Sequence, residues 1–176
     1  MAALQLLAVQ KNYAELERTL KQLDGSMDQM STQHYSANLT VNVILQNAAS
    51  RAADLGIDFH ASAPLPETLK IDVSDLCSLL INMLDNALEA ASAAEGAREI
   101  DISIKISQGF LAVKCENTYS GPLTADESGQ LQSTKPDPEY HGIGIAQMQN
   151  VVKKYNGMLD ISHTDERFTV AAALGI

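Results

Sequence analysis

Between Leu76 and Ala90 nearly every position is apolar except Asn82, Asp85, Asn86 and Glu89. Their spacing of i, i+3, i+4 and i+7 gathers them into one stripe along a helix whose other faces are buried. Asparagine forms helices poorly, and an amide removed from water needs hydrogen-bonding partners. Two carboxamides one turn apart, flanked by carboxylates, therefore point to a wet cleft. An ordinary solvent face would be richer in Lys and Glu.

Three further elements bear on chemistry. The run His141-Gly142-Ile143-Gly144-Ile145 sets glycines just before a helix, where backbone N–H groups can approach an anion and the helix N-terminus favours negative charge. Alone it is a weak signal. It is not a dinucleotide fingerprint, because Gln147 occupies the third glycine position and no strand precedes it; no Gly-Lys-Ser/Thr run exists, which excludes a P-loop NTPase. Ser133-Thr134-Lys135 puts a lysine in a loop that could cover phosphates on closing, although a lone loop lysine is more often simply solvated. Val113 to Thr118 reads as a strand ending at Asn117, whose carboxamide can either read a base edge or start a turn.

These groups need a scaffold, and the chain supplies one in order. Ile57 to Ala61 alternates like a strand and stops at Pro64 and Pro66; a long helix capped at Asp72 or Ser74 follows, running to about Ala94. Ile100, Ile102, Ile104 and Ile106 alternate strictly, Gln108-Gly109 turns, and Phe110 to Asn117 returns as the partner strand. Residues 118–140 lack periodicity and hold three of the five prolines, as a lid or binding loop does. A helix from the glycine run to about Tyr155 and a hairpin of Met158–His163 with Phe168–Leu174 complete an antiparallel sheet with helices on one side. Upstream, Leu6, Val9, Tyr13, Leu16, Leu20, Leu23, Met27 and Met30 form a heptad seam that asks for partner helices. Val41, Leu45, Ala48, Ala52 and Leu55 repeat it more weakly before Gly56.

Composition narrows the class. The 176 residues are 45% hydrophobic and 19% charged, enough for a core and too little charge for a disordered chain. With 12 Lys+Arg against 22 Asp+Glu, the net charge of −10 argues against nucleic-acid binding. No apolar run approaches a membrane span, and the N-terminus lacks the basic region of a secretory signal. Cys77 and Cys115 lie in apolar patterns and read as buried thiols of a reducing compartment. A cytoplasmic chain is expected, or the cytoplasmic part of a membrane-anchored receptor.

Taken in order, the four elements resemble the GHKL ATP-binding superfamily of gyrase, the ninety-kilodalton heat-shock chaperone, histidine kinases and mismatch-repair ATPases. Among these the likeness is greatest to sensor histidine kinases of the quorum-sensing, peptide-receptor type. Asn82-Met83-Leu84-Asp85-Asn86-Ala87-Leu88-Glu89-Ala90 resembles the N box, His141 to Ile145 the second glycine box, and Lys154-Tyr155-Asn156-Gly157 the helix end. The resemblance implies a two-layer α/β sandwich of the GHKL (Bergerat) type over residues 57–176. Its sheet would be mixed but mostly antiparallel, with helices on one face, preceded by a helical dimerisation segment over residues 1–56. It implies ATP and Mg²⁺ as cofactors: Asn86 on the metal with Asn82 assisting, Asn117 facing adenine, and Lys135, Gly142 and Gly144, with His141 of the same box, at the phosphates. The partners it implies are a second copy through the N-terminal helices and a response regulator.

Two departures stand out. The first glycine box usually reads Asp-x-Gly-x-Gly, whereas this chain has Asn117-Thr118-Tyr119-Ser120-Gly121. ATP-hydrolysing members carry a glutamate base where this chain has Asn82, and an amide takes no proton from water, which favours transfer to a protein over hydrolysis. Neither His60, His141 and His163 nor His34, taken as helical, matches an acceptor motif, so the phosphorylated histidine is expected outside the chain. The alternatives are a GHKL serine/threonine kinase acting on a regulator and a non-catalytic interaction module.

Overall fold

A computed structural model describes residues 33–121, 124–125, 131–132 and 143–176. The heptad seam from Leu6 to Met30, the loop lysine Lys135, and His141 and Gly142 lie outside the described residues.

Helix α1 (Leu39–Asp54) begins at Asn38, whose side chain accepts from the Val41 N–H. Strand β1 (Asp58–Ser62) leads into helix α2 (Val73–Ser92), capped by Asp72 accepting from the Ser74 N–H. Strands β2 (Glu99–Ser107) and β3 (Phe110–Thr118) form the expected hairpin, with Ser107 opposite Phe110. Two short pieces, β4 (Thr124–Ala125) and β5 (Leu131–Gln132), pair antiparallel. Helix α3 (Ile143–Lys154) then precedes strands β6 (Met158–His163) and β7 (Arg167–Gly175).

The main sheet has the order β1-β2-β3-β7-β6. β1 runs parallel to β2 and every other pair is antiparallel, so the sheet is mixed as expected. Alternation sorts the two faces. Ile100, Ile102, Ile104, Leu111, Val113, Cys115, Val170, Ala172 and Leu174 are buried beneath the helices, while His60, Asp101, Ser103, Lys105 and Lys114 are exposed on the other side. The outer face is bound by charge pairs, Arg167 with Glu99 and Asp101, and Lys114 with Glu116. Burial pushes the Cys77 and Cys115 thiols up to about 12, as inert core cysteines require.

Helix α1 lies within residues 1–56, expected above to be a helical dimerisation segment; its Val41, Val43, Ile44, Leu45, Ala48 and Ala52 are buried in the same core as α2 and the sheet. The helix packs on α2 and β1, and Arg51 in its last turn pairs with Asp85 of α2 at 2.5 Å. Spacings of four, three and four residues suit a coiled-coil seam and a helix laid on a protein core equally well. Correspondingly, His34 lies in irregular, exposed chain rather than on a helix.

Candidate functional site

The polar stripe of α2 survives folding. Asn82, Asp85, Asn86 and Glu89 stay at least partly accessible while Leu79, Leu80, Met83, Leu84, Ala87 and Leu88 around them are buried. Asp85 is engaged by Arg51. The two amides face α3.

Helix α3 lies antiparallel to α2, and contacts at both ends fix that alignment. At one end the Tyr155 hydroxyl accepts from the Asp72 N–H at 2.9 Å and donates to Asp75 Oδ2 at 2.8 Å, while Lys154 pairs with the same carboxylate. The Lys-Tyr-Asn-Gly run thereby ties the end of α3 to the start of α2. Gly157 completes the turn: a Cβ there would lie 1.9 Å from the Ala173 carbonyl oxygen, so no other residue lets the chain pass this close to β7.

At the other end Gly144 meets the stripe. A Cβ built on it would lie 3.2 Å from Asn82 Oδ1 and 3.8 Å from Asn86 Nδ2. The backbone of the first turn of α3 therefore rests against both amides, which brings the glycine run and the amide stripe to one place. The Asn82 side chain is anchored there, its Nδ2 donating to the Ser78 carbonyl at 2.7 Å and to Gln147 Oε1 at 2.9 Å.

Asn117 stands on the helix side of the sheet, 2% exposed, between Ile100 and Phe168 in the register. Its Nδ2 donates to the Thr118 carbonyl at 2.9 Å, which leaves the amide oxygen as its acceptor. No hydrogen bond joins it to Asn82, Asn86 or Gly144. The strand end is held in turn: the Glu99 N–H donates to Thr118 Oγ1 at 3.0 Å, and the Tyr119 hydroxyl donates to the Thr164 carbonyl at 2.6 Å.

Of the expected site residues, then, Asn82, Asn86 and Gly144 converge, and Asn117 takes the expected strand-end position. Sequence reasoning missed Gln147 and Arg51. Gln147 follows Gly144 by three residues and so shares its helix face, a signal that was available; Arg51 had none, since its partner lies on another helix. A separate depression of about 330 Å³ on the outer sheet face, lined by His60, Ser62, Asp101, Ser103, Lys114 and Glu116 among others, is remote from these amides, and its Lys114 and Glu116 are already paired with each other.

A family model described as a GHKL domain matches residues 71–174, more than half of the chain. The chain belongs to the GHKL domain family. This GHKL domain is 31% identical over 118 residues to the sensor histidine kinase NatK of Bacillus subtilis. That match takes in 65% of the chain and 36% of NatK, so the chain spans about a third of the relative's length. Among solved structures it is similar to the histidine kinase domain of the blue-light activated histidine kinase of Erythrobacter litoralis EL346. The TM-score is 0.60 at 15% identity, over 98% of this chain and 73% of that one. The nucleotide-free catalytic domain of histidine kinase ThkA gives 0.56 at 17% identity, over 77% of this chain and 92% of that one. Likeness at such identity establishes the fold, which is that of histidine kinase catalytic domains. Among the described residues no helix is long and apolar enough to cross a membrane.

Proposed function

We propose that the chain is the ATP-binding catalytic domain of a two-component sensor histidine kinase. It would bind Mg·ATP between α2 and α3 and present the γ-phosphoryl to a histidine outside the chain. The approach of Gly144 to both Asn82 and Asn86 carries this reading, because such contact serves a ligand held between amides and backbone N–H groups better than it serves packing. The NatK match supports the kinase class and does not favour a serine/threonine kinase or an interaction module.

The donor set fits magnesium. Among the described residues no three His, Cys, Asp or Glu side chains gather as metal ligands. Amide oxygens, by contrast, are hard donors of the kind that hold Mg²⁺ together with substrate phosphates and water. Asn86 is assigned to the metal with Asn82 assisting; bound there, Mg²⁺ would neutralise developing charge on the phosphates. The chain's own work is positioning. The Asn117 oxygen would accept from the adenine amino group, and the first turn of α3 would direct backbone N–H groups at the phosphates, to which Gly142, His141 and Lys135 are also assigned. Asn82 supplies no base, so water is left unactivated and the phosphoryl group awaits a protein nucleophile.

None of the four histidines is assigned as acceptor; the described ones, His34, His60 and His163, sit in irregular chain or on strands. The heptad seam from Leu6 to Met30 is assigned to a homodimer, the peptide-receptor type to the sensing class, and a response regulator to the next step. Titration calorimetry of Asn86→Ala tests the site. Mg·ATP affinity should fall far more than metal-free ADP affinity, and equal losses would remove Asn86 from the metal.

A further inference from the structure

Asn82 is where the amide stripe and α3 are joined by a hydrogen bond. A carboxamide carries two N–H donors and one carbonyl acceptor, and only the oxygen end attracts a cation. Both donors of Asn82 are engaged on the protein side, one by the Ser78 carbonyl one turn back in α2 and one by Gln147 Oε1 on α3. The remaining polar atom, Oδ1, is the one that faces the Gly144 backbone, 3.2 Å from where a Cβ would stand. The amide is therefore oriented, with its nitrogen turned to protein acceptors and its oxygen to the glycine turn.

From this geometry we infer that Gln147 is a positioning residue for magnesium. By accepting from Asn82 Nδ2 it holds the Asn82 carbonyl oxygen toward the cleft, where it can receive the ion or one of its waters. The inference rests on the Mg·ATP reading above. Gln147 lies three residues after Gly144, so the helix that brings the glycine turn to the cleft also brings the acceptor that orients the amide beside it. Ser78 contributes through its backbone carbonyl, which also accepts the helical bond of α2; Gln147 is the side chain through which the orientation can be altered. A residue donating from that position would oppose Nδ2 and favour the reversed amide, its NH₂ end toward the ion.

The experiment compares Gln147→Leu, which removes the acceptor, with Gln147→Glu, which keeps it. For each full chain, ATP affinity is measured by calorimetry with magnesium and with a chelator, and the ratio of the two is the magnesium enhancement. Loss of one orienting hydrogen bond predicts that Gln147→Leu lowers the enhancement about three- to tenfold while chelator affinity stays within about twofold. Gln147→Glu should retain the enhancement. An unchanged enhancement in Gln147→Leu overturns the inference, as does an equal fall of both affinities in both variants, the mark of a merely structural role. If the unmutated chain binds ATP but gains nothing from magnesium, the metal assignment itself fails and the inference falls with it. That outcome is read without either variant, so the two failures are distinct.

Discussion

Leu45→Ala separates the two homes that α1 could have had. Leu45 is completely buried, and Val41 one turn before it and the adjacent Ile44 are 0% and 2% exposed. Truncating such a leucine removes its transfer free energy and leaves a cavity, together about 2 to 5 kcal/mol. A domain of this size has roughly 5 to 15 kcal/mol in total, so the loss is a large share. At about 4 °C per kcal/mol, melting should fall by about 8 to 20 °C. Leu16→Ala, in the upstream seam, should leave that melting unchanged and weaken self-association instead. Thermal unfolding at fixed protein concentration and sedimentation on both variants give the answer. A Leu45→Ala chain that melts normally but dissociates would return α1 to the helical segment and refute the packing described above.

Gly144→Ala sets a methyl 3.2 Å from Asn82 Oδ1, so the amide must shift against its two anchoring hydrogen bonds. Mg·ATP affinity should fall about tenfold, the equivalent of one hydrogen bond, with little change in melting, which calorimetry and thermal unfolding read separately. Asp72→Ala removes the α2 cap and should cost about 1 kcal/mol at neutral pH by denaturant titration. The Asp72 carboxyl is held below its ordinary value chiefly by the hydrogen bond from the Ser74 side chain. Its contribution is therefore complete above the unfolded value of about 3.9. It is lost as pH falls through the lower folded value, where the two proteins should converge in stability.

Much of this architecture was legible because it is written in local patterns. The strict isoleucine alternation of β2, the turn at Gln108-Gly109 and the Asp72 cap each fix an element without reference to the rest. The amide stripe was legible for the same reason, since polar residues at helical spacing in an apolar run have few other uses. What was not legible depends on contact between distant elements. The place of α1 is set by what covers it, and its spacing carries no mark of the covering layer. The charge pairing of Arg51 with Asp85 joins residues on different helices. The bond from Asn82 to Gln147 likewise exists only once α3 is laid antiparallel on α2.

The parallel pairing of β1 with β2 makes α2 the crossover between them, joining Asp58 to its register partner Glu99. Parallel pairing across so long a connection is non-local, and such pairing is intrinsically slow because the loop must close before the pairing rewards it. The side chains assigned above to a nucleotide are thus mounted on the segment whose placement depends most on the whole sheet. A ligand that binds α2 only in the folded domain adds its binding free energy to the stability of that folded state. Amide hydrogens of β1, on an edge strand that carries none of the assigned nucleotide contacts, are then protected from exchange in step with occupancy of the cleft.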